Sequence, residues 1–397
     1  VLGHLEVSAV EGLGEYCGSL PTLNPWHPKS AFVKSCLYNE AEVLYDGLDE
    51  FEAPLLRPRR MISDTGENLW VSPMLACVRQ MAVAGNIVEA SPFISAAHVA
   101  YHKIHSVIAA DLPYVRPMSV QQIIRGTKHT NGMNPKSGAG FPYFGLKKAD
   151  LISGTPEMPY FKAWFAEILN NAIIQMDLTG YLENISTAAS KDEMISEQKS
   201  RLGMERIFFA GNVVFLVMCR MYLTPLMDLL MMHRKDLPGK IGMNATGKEF
   251  HDMLVKMYCD VKSTDSTTTL DPDAYEDPRE YDIAVNEMLH DEGWIDTDFK
   301  KFDKCLVDLP YAIYVFWMLI QACPFYQDKK NLVHLNRVRI ILQSLQQYVI
   351  IVGNDVILMD RGICSGVFGT APINNICEMI LEIVQFYFVR YVAKENR

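Results

Sequence analysis

Apolar positions recur at the 3.6-residue spacing of a buried helix face over residues 73–83, 92–108, 310–322 and 371–392, and each is predicted to be a helix. Two longer apolar runs, residues 207–232 and 376–393, are interrupted by Arg220 in one and by Glu378, Glu382 and Arg390 in the other. A membrane span would need about 20 consecutive apolar residues, so both runs are expected to be buried helices and no transmembrane segment is expected. Alternation and β-branching predict a hairpin from Tyr348 to Val352 and from Val356 to Met359, turning at Gly353-Asn354-Asp355. Trp294 to Phe299 is expected as a strand ending in a polar turn. Asn134-Pro-Lys-Ser-Gly-Ala-Gly-Phe-Pro-Tyr143 is punctuated by Gly and Pro throughout and must be a loop.

The chain has 397 residues, 49% of them hydrophobic, enough for a large core and too many for one ordinary compact domain. Nine cysteines form no CxxC pair and are too dispersed for a zinc cluster, which fits a reducing compartment. A net charge of −10 argues against a nucleic-acid partner at face value. Its distribution reverses that inference: residues 260–296 hold twelve acids and two bases, leaving 35 of each elsewhere. A neutral body can carry a basic channel, and the part of the acidic stretch from Asp260 to about Asp282 is expected on the outer surface, away from it.

Several groups of residues bear chemistry. Asp298 and Asp303 lie at the end of the expected strand, where carboxylates can hold Mg2+ with substrate phosphates, although a solvated turn gives the same pattern. Ser365 lies in a Gly-flanked loop, and Thr370 and Asn374 follow at i, i+4 on one helix face. A hydroxyl and an amide aimed at one spot can read a sugar hydroxyl; they can equally cap a helix. The 134–143 loop exposes backbone N–H groups beside Lys136, Lys147 and Lys148, which suits a phosphate backbone. Residues 191–206 alternate in charge, a pattern shared with a solvated ribbon. His98, His102 and His105 share a face of the 92–108 helix, but no acidic or Cys partner is near in sequence, and a half-exposed helix face is expected there.

In this combination and order the chain resembles the RNA-dependent RNA polymerases of picorna-like positive-strand RNA viruses. Lys191-Asp-Glu, Lys199, Gly203 and Arg206, followed by Arg220, resemble the basic fingers motif F; Ser137 with Gly140-Phe-Pro-Tyr143 resembles motif G. Asp298-Phe-Lys-Lys-Phe-Asp303 resembles motif A, and Ser365-Gly366 through Thr370 to Asn374 resembles motif B. The resemblance implies an α+β right-hand polymerase fold: fingers over residues 1–222, palm over 223–343 with an acidic insertion at about 259–288, a fingers β-hairpin over 344–361, and more palm over 362–397. It further implies that Asp298 binds catalytic Mg2+, with Mn2+ as a substitute, and that Asp303, Ser365, Thr370 and Asn374 contact the ribose of the incoming nucleotide. Lys191, Lys199 and Arg206 would hold the triphosphate, and Ser137 and Gly138 would border the template.

The implied activity is template-directed nucleotidyl transfer from NTPs to an RNA 3′ hydroxyl, with RNA template and primer, NTPs and other viral replication proteins as partners. The implied setting is replication complexes in the host cytoplasm, after release from a polyprotein; Val1 in place of an initiator Met fits either that proteolysis or a sequence that starts late, and a secretion signal is not expected. The sequence departs from the family pattern in three ways. Ile195 stands where a second motif F base is usual, the interval from Arg206 to Asp298 is long, and no motif C Gly-Asp-Asp follows motif B. Gly353-Asn354-Asp355 imitates motif C but precedes motif B, so it is expected to be a hairpin turn. Motif C and the thumb are therefore expected beyond Arg397, and a protein ending there is expected to be inactive alone. The alternative is a non-catalytic RNA-binding or scaffold protein with a polymerase-like fold.

Overall fold

The structure is a computed structural model, and it describes residues 14–20, 51–52, 59–62, 68–71, 90–191, 193–196, 207–237, 248, 251–253, 255, 308–359, 362–363 and 369–395. The expected helix over 73–83, the strand at Trp294, the acidic stretch, Lys199, Arg206, Asp298, Asp303 and Ser365 lie outside the described residues.

A five-stranded sheet joins distant parts of the chain. Its strands are β1 (Gly14–Ser19), β7 (Ile185–Ser190), β9 (Ile207–Gly211), β10 (Tyr348–Val352) and β11 (Asp355–Met359), in the order β1-β11-β10-β7-β9. Two-residue strands β2 (Phe51–Glu52) and β8 (Ile195–Ser196) pair with each other, as do β3 (Arg59–Ile62) with β4 (Asn68–Val71) and β5 (Ile152–Gly154) with β6 (Pro159–Phe161). The predicted hairpin is β10–β11, with Val352 opposite Asp355 and Gly353 at φ +66° in the turn. A positive φ costs Gly less than any other residue, which suits it to this tight connection. β10 runs parallel to β7, pairing Val349 with Ile185, whereas β7 and β9 are antiparallel, with Ser190 opposite Ile207. Lys191 therefore stands just past the end of β7, beside the start of β9.

The helices build the core. In α1 (Ala90–Ile108), Phe93, Ala96, Ala97, Ala100, Ile104 and Ile108 are buried at helical spacing, while His98 and His102 are exposed on the opposite side. The ring of Tyr101 lies against both His102 and His105, and His98 meets Tyr314 edge-on, so these histidines act as surface aromatics. Helix α1 packs against α6 (Leu309–Ala322) and α8 (Thr370–Glu395), which also pack on each other, with Phe93 stacked on Tyr311 at 5.3 Å. Between them in sequence come α2 (Val120–Arg125), α3 (Ala163–Thr179), α4 (Val213–Tyr222), α5 (Thr224–Met232) and, before α8, α7 (Leu332–Gln346). Helix α7 is fastened to α3 by Arg337, whose guanidinium donates two bonds to Asp177, at 2.9 and 2.6 Å, and a third to the Tyr222 hydroxyl.

One expectation fails here. Residues 207–232 do not form one buried helix: Ile207–Gly211 is strand β9, with Ile207 and Phe209 buried and Phe208 exposed. This alternation has period two, and Gly211-Asn212 ends it. The Asn212 side chain then caps α4 by accepting the Val214 N–H at 2.7 Å. The helix breaks again at Leu223, and Pro225, tolerated in a first turn because no N–H is needed there, starts α5 at 56° to α4. No single helix among the described residues is long and apolar enough to cross a membrane; the bent α4–α5 pair passes by length and composition only, and its apolar residues are mostly in the core.

Candidate nucleotide and template site

The 134–148 loop is held by its own backbone. The Ala139 N–H donates to Leu146, the Lys148 N–H to Ser137 and the Ala149 N–H to Pro135, which draws two arms together around a tip at residues 140–145. The Ser137 hydroxyl donates to the Asn134 carbonyl at 2.8 Å and accepts from the Lys148 ammonium at 2.9 Å. Burial, and then the nearby positive charge of Arg220, hold the Lys148 pKa below the usual lysine range. Gly138, the other predicted template neighbour, is exposed.

This loop is docked on the β9–α4 junction. The Val213 N–H donates to the Ala139 carbonyl at 3.0 Å, and Gly140, at φ +76°, lies so close that a Cβ there would stand 2.3 Å from the Gly211 carbonyl oxygen. The structure thus brings the loop that resembles motif G against strand β9, which follows the segment resembling motif F. Of the triphosphate candidates, Lys191 is described: it follows β7, is exposed, and pairs with Glu193 at 2.5 Å.

Of the ribose candidates, Thr370 and Asn374 are described, and both sit on the first turns of α8. Gly369, at φ +83°, precedes the helix, and a Cβ on it would be 2.6 Å from Met227 Cε of α5. Thr370 and Asn374 are both half-buried one turn apart, and the Asn374 Oδ1 is buried with no hydrogen-bond partner among the described residues. Helix α5 links the two regions, because Asp228, next to Met227, accepts a hydrogen bond from Thr130, which precedes the 134–148 loop.

Three residues have roles that the sequence did not show. Arg220, expected with the basic motif, is buried; its Nε donates to the Ile123 carbonyl at 3.0 Å and its terminal nitrogen to the Asn131 carbonyl, so it clamps the chain around α2. Asp308 is fully buried at the start of α6, and neither carboxylate oxygen has a hydrogen-bond partner of good geometry among the described residues. Burial pushes its pKa up to about 6, offset in part by its own backbone N–H and by the Cys377 thiol of α8. Asp355 is buried where β11 begins and accepts from the Tyr16 hydroxyl of β1 at 3.3 Å, so the Asp of Gly-Asn-Asp is tied into the sheet. No group of three or more His, Cys, Asp or Glu among the described residues could hold a metal ion, and Asp298 lies outside them.

Comparison with known proteins bears on the fold. Residues 91–269 match the family model of viral RNA-dependent RNA polymerases. Among solved structures, the Sicinivirus 3Dpol RNA-dependent RNA polymerase matches 94% of this chain with a TM-score of 0.61 at 15% sequence identity. The chain spans 66% of the length of that protein. No curated protein matches the chain in sequence closely enough to count as a relative. These findings bear out the resemblance to the RNA-dependent RNA polymerases of picorna-like viruses, and the architecture is a mixed helix and sheet right-hand polymerase fold in part.

Proposed function

We infer that the chain is the fingers and the first half of the palm of a viral RNA-dependent RNA polymerase, which transfers nucleotides from NTPs to an RNA 3′ hydroxyl. One observation carries this reading: the 91–269 segment that matches the polymerase family contains both the Ser137–Gly138 loop and the Lys191-to-Arg206 segment, and the structure docks that loop on the β9–α4 junction. The pairing of β10 with β7 supports assigning the hairpin to the fingers.

In this reading Ser137 and Gly138 border the template, Lys191, Lys199 and Arg206 neutralise the triphosphate, and Asp303, Ser365, Thr370 and Asn374 orient the ribose. The unpartnered Asn374 Oδ1 supports its part, since a buried acceptor without a donor is costly until a ligand hydroxyl supplies one. Asp298 would hold Mg2+ or Mn2+ ions, which when bound supply the charge that activates the attacking hydroxyl and stabilises the reacting phosphate. Lys191 must exchange Glu193 for phosphate, an exposed pair worth little in itself.

The test is RNA-templated incorporation of labelled ribonucleotides by the natural protein that carries this sequence. Incorporation that follows the template, with a raised apparent KM for nucleotide in Lys191→Ala, is the expected result. Template-independent or absent incorporation would contradict it.

A further inference from the structure

The tip of the 134–148 loop is aromatic, and its rings part company. Tyr143 turns inward, 6.3 Å from Phe165 and 6.4 Å from Trp164 on α3. Phe144 does not follow it: the residue is 50% exposed, with an edge-on contact to Phe141 at 5.7 Å. A single exposed phenylalanine is ordinary on a protein surface. This one, however, stands on a base that cannot easily give way, fixed by the Ala139–Leu146 and Val213–Ala139 hydrogen bonds and by the close approach of Gly140 to Gly211.

Both arms of the loop carry lysines, while Glu183 faces the inward-turned Tyr143. Lys136 and Lys147 are exposed on the two arms, and Gly138 pairs across the loop with Lys147. Lys148 lies beside Ser137, and the one acid among residues 134–150, Asp150, is engaged by the Lys147 backbone N–H at 2.7 Å. An exposed ring at the tip of a braced loop whose arms carry lysines offers a π-face and counter-charges together, which is the combination that holds unpaired nucleic acid without reading its sequence.

We propose that Phe144 is a stacking platform for an unpaired base of single-stranded RNA whose phosphates run along Lys136 and Lys147. The inference rests on the polymerase reading and adds to it a residue that the motif resemblance does not assign. A duplex offers no free base face to the ring, so the contribution of Phe144 is specific to single strands, whereas that of the lysines is common to both.

The experiment compares binding of a fluorescent single-stranded oligoadenylate and of a blunt RNA duplex to the wild-type protein, Phe144→Ala, Phe144→Leu and Phe144→Trp. Phe144→Ala and Phe144→Leu should weaken single-strand binding by about 5- to 100-fold, the range of one base stack, and leave duplex binding within about 2-fold. Phe144→Trp should bind single strands at least as well as wild type. Phe144→Leu keeps an apolar side chain at the tip, and duplex binding retained in both variants shows that they are folded. Unchanged single-strand affinity in Phe144→Leu, or an equal loss for duplex, would overturn the stacking role alone. Failure of the wild-type protein to bind either RNA at low salt would instead remove the polymerase reading, and this role with it.

Discussion

The Lys148 ammonium donates to the Ser137 hydroxyl at 2.9 Å, so the serine expected to border the template also holds a half-buried cation in place. Ser137→Ala removes that acceptor, together with the donor to the Asn134 carbonyl. The loss should be on the order of 1–2 kcal/mol, measured by urea unfolding, and RNA binding should weaken as Lys148 loses its orientation. Ser137→Thr, which keeps the hydroxyl, should retain most of both.

Arg220 gives a larger effect. Its guanidinium is buried and serves the carbonyls of Ile123 and Asn131, with Asp228 supplying compensating charge nearby. Arg220→Ala should destabilise the protein by roughly 3 kcal/mol, since it leaves a cavity and unpaired groups. Arg220→Lys should recover little of this, because an ammonium lacks the planar fork that reaches both carbonyls. Equal stability of Arg220→Lys and wild type in denaturant would argue against the clamp.

How far the sequence reaches is visible in these same residues. Helices α1, α6 and α8 and the β10–β11 hairpin are legible because each is a local pattern with one buried face. The split of residues 207–232 is harder, since an apolar strand followed by an apolar helix looks continuous in hydropathy, and only the short alternation at Ile207-Phe-Phe209 and the Gly211-Asn212 break betray it. Pairing of β10 with β7, and of β1 with β11, joins segments far apart in the chain and leaves no local signal. For the candidate site, residue types and order pointed to Ser137, Lys191, Thr370 and Asn374. Arg220 looked like one more cation of the basic motif because its acceptors are backbone carbonyls, which carry no sequence signature.

Asp308 predicts a pH dependence. Its folded pKa of about 6 lies above the ordinary carboxylate value of 3.8, so the folded state binds the proton more tightly than the unfolded state. Its contribution is therefore fully present below about pH 4 and lost as pH rises through 6. Asp308→Asn, which stays neutral, should match wild type near pH 4 and exceed it by on the order of 3 kcal/mol at pH 8. Unfolding curves at the two pH values measure this; a pH-independent difference would show that Asp308 is not held neutral by burial.

Asn374 predicts a change in sugar choice. A site that hydrogen-bonds a hydroxyl can reject the analogue lacking it by up to about 10⁴-fold. In the natural protein, Asn374→Ala should lower ribonucleotide use and narrow the ratio to deoxyribonucleotides by about 10-fold or more. Competition between the two nucleotides on one RNA template gives the ratio directly, and an unchanged value would remove Asn374 from this role.

The most direct measurement compares Asp298→Ala with Asp355→Ala in RNA-templated incorporation by the natural protein. Asp298 carries the proposed metal site, whereas Asp355 is buried at the start of β11 and bonded to Tyr16. Asp298→Ala should abolish incorporation while template-primer affinity stays within a few-fold, since RNA is held mainly through its phosphates by basic side chains. Asp355→Ala should lose stability and retain incorporation per folded molecule. Incorporation that survives Asp298→Ala and is lost in folded Asp355→Ala would contradict the account and move the metal site to the Gly-Asn-Asp hairpin.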